Sequence, residues 1–365
     1  MKKYALLSLL GAAIFATTFT SCKSDKTPEP TVNFDELKTQ VLSDFGTSLG
    51  NPLYTDFLTK ATTLKTAVQT LAATPNQGNL DAARAAWKDV RVVWEQSEGF
   101  LIGPVEDNNY DPYMDTWPTD HNAMDSLLAS SQTLDANFLS GIGSDPSSEA
   151  ELTLRGFHPL EYLLWGIDGN RQATTYTARE KEYMIALATD IVNNVTALKA
   201  DGATFFANEL AKPGVSGSRY TSKHDALEAL ANGLADIISE VGESKMLEPF
   251  SPADSTITES PYSHNSLIDF KNNILGAQNA YTCTYGNASG KSLSDLVKAN
   301  NASLDQSIKQ KFQIAINSFD GITGTFENAV YNQRPAVQTT LDALSSLKET
   351  IDVSLVPYIQ QYVKD

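Results

Sequence analysis

The feature that most restricts what this chain can fold into is the spacing of its apolar residues. Between residues 79 and 100, Leu80, Ala83, Trp87, Val90 and Trp94 recur at steps of three and four. That period is one face of an α-helix. Arg84, Lys88, Arg91, Glu95 and Glu98 form a second stripe beside it. The same period runs through 35–49, 53–73, 178–199, 222–247, 302–319 and 334–363, while alternating β-branched runs are scarce. The expected fold class is therefore all-α, built from helical bundles.

Two stretches break the pattern. Residues 103–118 (GPVEDNNYDPYMDTWP) and 248–263 (EPFSPADSTITESPYS) read as long ordered loops. Such loops in a compact protein often carry function. Pro213-Gly214 with Gly217 marks the expected boundary between two helical domains, 33–212 and 213–365.

The N-terminus carries an export signal. Lys2 and Lys3 precede an uncharged, mostly apolar run over 4–19, then Thr20, Ser21 and Cys22. The run is too short and wrongly flanked for a spanning helix, so 1–21 reads as a signal peptide. A small residue directly before Cys is the pattern of bacterial lipoprotein processing, which alkylates the thiol of Cys22 and leaves it as the new N-terminus. Two or more acyl chains are needed for stable anchoring, and a multiply acylated Cys supplies them. The polar, Pro-bearing residues 22–32 then form a tether. Lys23 is not the Asp associated with inner-membrane retention, so the expected location is the outer membrane of a bacterial envelope.

Composition narrows the ligand classes. The formal net charge of −17 becomes −19 once Lys2 and Lys3 leave with the signal. An acidic body argues against nucleic acid, whose phosphates need a basic face, and is compatible with cationic ligands. With Cys22 consumed by lipid, Cys283 is left alone. It has no obvious base nearby and reads as a buried thiol. Any metal site must then use oxygen and nitrogen ligands.

The sharpest local feature is Gly156-Phe157-His158-Pro159-Leu160-Glu161. Pro159 suits the first position of a helix, which puts His158 near the N-cap and Glu161 one turn on. Imidazole and carboxylate at that spacing can hold a metal ion. A Glu in the first turn is equally a standard helix-capping residue, and both readings stay open. His-Glu-x-x-His is absent, and the inverted zinc motif would need His where Tyr162 stands. Glu95 and Glu98 lie one turn apart and can reach one ion, or form a solvated face beside Arg91. Asp111, Asp115 and Asp120 offer further carboxylates from the first loop, and His264 stands just after the second.

At this point the residues resemble a known family, the imelysins, the bacterial insulin-cleaving membrane proteases and their relatives. The hallmark Gly-x-His-x-x-Glu is Gly156, His158 and Glu161, continued by Tyr162-Leu163-Leu164-Trp165-Gly166. Upstream, Ala86-Trp87, Arg91 and Gln96-Ser97-Glu98 look like the family's first helix, and Trp117-Pro118 with Asp120 and Asp125 like its next block. Downstream, Glu259 through Ser266 (ESPYSHNS), Asp269 and Gly276-Ala277-Gln278-Asn279-Ala280-Tyr281 look like the C-terminal signature. The blocks run in order over most of the chain.

The resemblance implies two helical bundles with a cleft at their interface. It places His158 and Glu161 there, with Arg91, Asp120, Glu259, Ser263, Asn265 and Ser266 as cleft or ligand-facing residues. Family members are classed as metallopeptidases, yet many are linked to iron acquisition. One branch looks to bind metal through two helical Glu, an Asp from an Asp-Pro-x-x-Asp loop, and the motif His. Glu95, Glu98, Asp115 and His158 match those positions here. Other imelysins typically carry Gln at the first Glu, so Glu95 departs from them.

Three functional readings follow. The first is an envelope-anchored lipoprotein binding a divalent or ferric metal ion, iron or zinc, for uptake. A receptor or permease of iron uptake would be its partner. The second is a metalloendopeptidase with His158 and Glu161 as catalytic residues. The third is a binding module without metal.

Overall fold

The computed structural model describes residues 33–144 and 151–364. The signal peptide 1–21, Cys22 and the tether lie outside the described residues. Among the described residues no helix is long and apolar enough to cross a membrane.

The chain is helical nearly throughout, as the apolar period requires. Helices α1 (Phe34–Asp44) and α2 (Asn51–Ala73) are joined by a π-helical turn, and α3 spans Gln77–Ser97. Asn76 starts α3 by accepting a hydrogen bond from the Asn79 amide, the usual role of an Asn at the N-cap. Short helices α4 (Pro104–Asp107) and α5 (Tyr110–Asp115) follow, then α6 (His121–Ala129), α7 (Ala136–Gly141) and α8 (Phe157–Trp165). The expected first loop thus contains two brief helices, α4 starting on Pro104. Neither is long enough to show a repeating apolar face.

Helix α9 (Ala178–Phe205) opens on a capping box between Thr177 and Glu180, which satisfies two otherwise orphaned amides. Beyond it come α10 (Lys223–Ser239), α11 (Leu247–Phe250) and α12 (Ser266–Thr282). A two-residue hairpin, Thr284–Tyr285 with Ala288–Ser289, is the only sheet among the described residues. Helices α13 (Leu293–Asn300), α14 (Ala302–Ser318), α15 (Phe326–Asn332), α16 (Arg334–Thr350) and α17 (Val356–Tyr362) complete the body.

Phe34–Asp365 form one compact unit. Helix α2 packs on α3 and α9, and α3 in turn packs on α8 and α12. Helices from both sides of Pro213 thus meet along α3. The buried stripe of α3, Trp87 and Trp94 above all, meets Phe57, Phe157 and Trp165 edge-on or tilted. Each such ring contributes roughly 2–3 kcal/mol by leaving water.

Helix α12 crosses the end of α3 and the 3₁₀ turn after it, Glu98–Phe100, very closely. A Cβ on Gly99 would overlap the Gly276 backbone, and one on Gly276 would overlap the Gln96 carbonyl. Two glycines facing each other let the backbones touch, and the polar residues one turn away on each helix come within reach of one another.

Candidate metal centre

Helix α3 and the 3₁₀ turn that follows it (Glu98–Phe100) supply three charged groups about one turn apart, Arg91, Glu95 and Glu98, all buried. The Arg91 guanidinium pairs with Glu95 and Asp115, stands 2.8 Å from Glu259 and 3.7 Å from Asp269. Asp115 enters from the end of α5. Its Oδ2 accepts a 2.6 Å hydrogen bond from the Trp94 indole, and its Oδ1 lies 3.0 Å from Nε2 of His158.

The glycine of the Gly-x-His-x-x-Glu motif explains that last contact. Gly156 has φ +87°, and a Cβ there would overlap the Met114 carbonyl. Only glycine adopts this conformation freely and admits so close a neighbour. The strand of chain carrying Asp115 is thereby pressed against the start of α8. The helix begins at Phe157 with Gly156 as its N-cap and no side-chain cap. It therefore starts two residues before the Pro159 start expected from sequence.

Glu161 is not a helix cap. Its Oε1 accepts three hydrogen bonds from the loop before α12: Tyr262 N at 3.1 Å, Ser263 N at 2.7 Å and Ser263 Oγ at 2.7 Å. Its Oε2 stands 3.3 Å from Nδ1 of His158. A carboxylate behind a histidine fixes the proton on Nδ1 and points the lone pair of Nε2 the other way. Burial would lower the His158 pKa, but hydrogen bonding to Asp115 and Glu161 outweighs it and holds the imidazole at about 9.

The second half of the chain closes the site. Asn273 donates to Glu95 Oε2 at 2.7 Å and to Glu98 Oε2 at 2.5 Å. Asp269 accepts from Ser260 and Asn265, each at 2.7 Å. Lys245, from the π-helical turn Glu240–Met246, stands 2.9 Å from Glu98, 3.3 Å from Glu259 and 3.7 Å from Glu95.

Buried carboxylates thus outnumber buried cations. Glu95, Glu98, Asp115, Glu161, Glu259 and Asp269 face only Arg91 and Lys245, with His158 as a titratable third. Burial drives Glu95 and Glu98 well above the usual carboxylate range, against the pull of Arg91 and Lys245. Burial likewise holds Asp269 at about 6, and burial with the Asp115 charge holds Asp111 at about 7. Asp115 is the exception. Burial would raise it, yet Arg91 and His158 keep it well below the ordinary range.

The arrangement fits a metal ion on its own atoms. Asp115, His158 and Glu259 bring one ligand atom each within 4.8 Å of the others, and so do Glu95, Glu98 and Asp115. Glu259 Oε2 is buried and accepts no hydrogen bond, an orphan that a cation would satisfy. A cleft of about 230 Å³ reaches the cluster, lined among others by Glu98, Asp111, Asp115, Trp117, Glu240 and Lys245.

Of the residues singled out by sequence, Glu95, Glu98, Asp115, His158, Glu259 and Arg91 converge. Glu161 stands directly behind His158 and belongs to neither ligand group. Ser263, Asn265 and Ser266 shape the loop: they bond to Glu161, to Asp269, and to Ser260 and Glu327 respectively. Asp120 is exposed and caps α6 through the Ala123 amide. His264 is exposed and pairs with Glu327 at 3.2 Å. Cys283 is buried, which pushes its thiol to about 12. Lys245 and Asn273 escape a sequence reading. Lys245 does leave a trace, since it continues the stripe Leu234, Ile238, Val241 at helical steps.

Residues 50–352 match the imelysin family, peptidase M75, so the chain belongs to the imelysin family. It is 28% identical over 360 residues to iron-regulated protein A of Synechococcus elongatus, covering 96% of this chain and 93% of that protein. Among solved structures, an iron-regulated protein A precursor from Parabacteroides distasonis superposes with a TM-score of 0.80 at 28% identity, covering 92% of this chain and 97% of that one. An imelysin-like protein from Psychrobacter arcticum shares the fold at 15% identity, with a TM-score of 0.73 over 90% and 98% of the two chains.

Proposed function

We infer that this protein binds a metal ion, iron by preference, in the cluster around Asp115 and His158. The observation that carries the reading is the buried acidic excess, centred on the orphaned Glu259 Oε2. Unpaired buried charge is strongly disfavoured, so the cluster needs either protons or a cation. Asp115, His158 and Glu259 would hold the ion, with Glu98 and Glu95 adjoining. Carboxylates with one imidazole and no thiolate suit hard or borderline ions. The bound metal would supply positive charge where the empty protein must hold protons. The name of the Synechococcus relative, iron-regulated protein A, supports iron over zinc.

The location completes the reading. A lipid on Cys22 would hold the protein at the outer membrane, where it would pass metal to a receptor or permease of iron uptake. A hydrolytic role draws less support, because Glu161 Oε1 is committed to three donors and does not face open space as a general base would.

The test is metal analysis of tagless protein, alongside His158→Ala and Glu98→Ala. Both variants are expected to lose bound iron. Retention of wild-type iron by both overturns the assignment, and chelator-sensitive cleavage of an unfolded polypeptide restores the peptidase reading.

A further inference from the structure

Metal binding leaves one group unexplained. Lys245 is 2% exposed, yet it lines the cleft that reaches the cluster. Its ammonium touches Glu98, Glu259 and Glu95. Glu95 and Glu98 are two of the three carboxylates that converge as one ligand group with Asp115. A positive charge of the protein's own therefore occupies the oxygens that an incoming ion would use.

The two buried cations differ in how firmly they are held. Arg91 spreads its guanidinium over Asp115, Glu95 and Glu259, with Asp269 alongside, from the middle of a long helix. A planar fork engaged on several sides does not leave without orphaning all of them. Lys245 is a point charge on a flexible four-carbon stem. It springs from a π-helical turn, a feature common at functional sites. Glu240, 3.5 Å from the ammonium with its side chain 42% exposed, lies on the solvent side. It gives Lys245 a second resting place outside the cluster.

We propose that Lys245 is a displaceable internal cation, which holds the entrance of the metal site and is driven out toward Glu240 when a metal ion enters from the cleft. The inference rests on the metal-binding reading above and adds what regulates occupancy. The lysine keeps the empty cluster from being a knot of like charges. It also competes with the ion for Glu95 and Glu98, so it weakens binding and sets a threshold concentration for loading.

The experiment compares wild type, Lys245→Met, Lys245→Arg and His158→Ala, titrated with Fe²⁺ under anoxic conditions and separately with Zn²⁺. Lys245→Met keeps the stem and removes the charge. It is expected to bind at least tenfold tighter, with a lower melting temperature when empty that metal restores. Lys245→Arg keeps the charge in a form that grips carboxylates in two places. It is expected to bind at least tenfold weaker, with the empty protein as stable as wild type. A plain structural counter-ion would make Lys245→Arg equal to wild type and Lys245→Met weaker, and that pattern overturns the proposal. If Lys245→Met yields no folded protein, Lys245→Arg decides: weaker binding supports the proposal and unchanged binding overturns it. Wild-type binding that depends on His158, with the Lys245 variants behaving as for a counter-ion, removes this inference and leaves the metal site standing. No binding by wild type and Lys245→Met alike removes both.

Discussion

Ser263 grips Glu161 with two hydrogen bonds of 2.7 Å, one from its amide and one from its hydroxyl, across 102 residues of sequence. The contact fixes the far side of the His158 ring. The carboxylate of the family motif therefore acts on the site through the histidine.

Glu161→Gln tests that positioning. The amide oxygen still accepts from the loop, so the fold should hold. The amide nitrogen then faces Nδ1 of His158 and favours the wrong tautomer, with the proton on Nε2. Metal affinity is expected to fall about 10–100-fold, as for other groups behind a metal-binding histidine, with the melting temperature within a few degrees of wild type. An unchanged affinity, read by competition with a metal indicator, argues against the role.

Gly156→Ala tests the close approach of α5 and α8. The positive φ and the overlap with the Met114 carbonyl should together destabilise the protein by at least about 2 kcal/mol. Asp115 should also retreat from His158, so metal binding weakens in the fraction that folds. Chemical denaturation with a metal titration reads both effects.

The acid–base balance gives a direction for pH. His158 is held at about 9 in the fold, above the ~6.5 of an unfolded histidine. Its stabilising charge is fully present below about pH 6.5 and lost as pH rises through 9. Asp269 and Asp111 are held at about 6 and 7, above the ~3.9 of an unfolded Asp, so ionising them costs stability earlier in the rise, from about pH 4 to 7. On account of these three groups the metal-free protein should lose stability as pH rises, from about pH 4 to 7 through the two aspartates and from about pH 6.5 to 9 through His158. A metal ion on His158 must displace the proton held there. Calorimetry at pH 7 in buffers of different ionisation enthalpy should detect proton release, and affinity should rise with pH.

Trp94→Phe removes the 2.6 Å hydrogen bond to Asp115 Oδ2 and little of the packing. Leaving a buried charged acceptor short of a donor should cost about 1–3 kcal/mol. The same indole should report metal entry as a change in fluorescence. The variant should lose most of that signal, and a full signal in Trp94→Phe would place the reporter elsewhere.

The fold class was legible because apolar residues at helical steps leave few alternatives, and the long spans on α2, α3, α9 and α16 follow it closely. Helix α12 was the hard one. Its stripe is broken by Asp269, Asn272, Asn273 and Gly276, because that face meets charged residues of α3 where other helices meet a core. Half of the candidate centre was legible for a related reason. Glu95, Glu98 and His158 stand at spacings that advertise chemistry, and Asp115 and Glu259 lie in blocks that resemble a family. Lys245 had no such neighbours. A lone lysine is read as surface until a fold shows it buried against carboxylates.

The glycine-to-glycine crossing of α12 with the turn that ends α3 has a consequence for when the site comes to exist. Asn273 and Asp269 reach Glu95, Glu98 and Arg91 only because Gly99 and Gly276 let two backbones touch. The donors come from segments near 91–98, 115, 158 and 245–273, and no one of them gathers more than a fraction of the cluster. A chain kept unfolded during transport carries no such cluster with it. The compartment in which the chain folds is the compartment whose ions it samples.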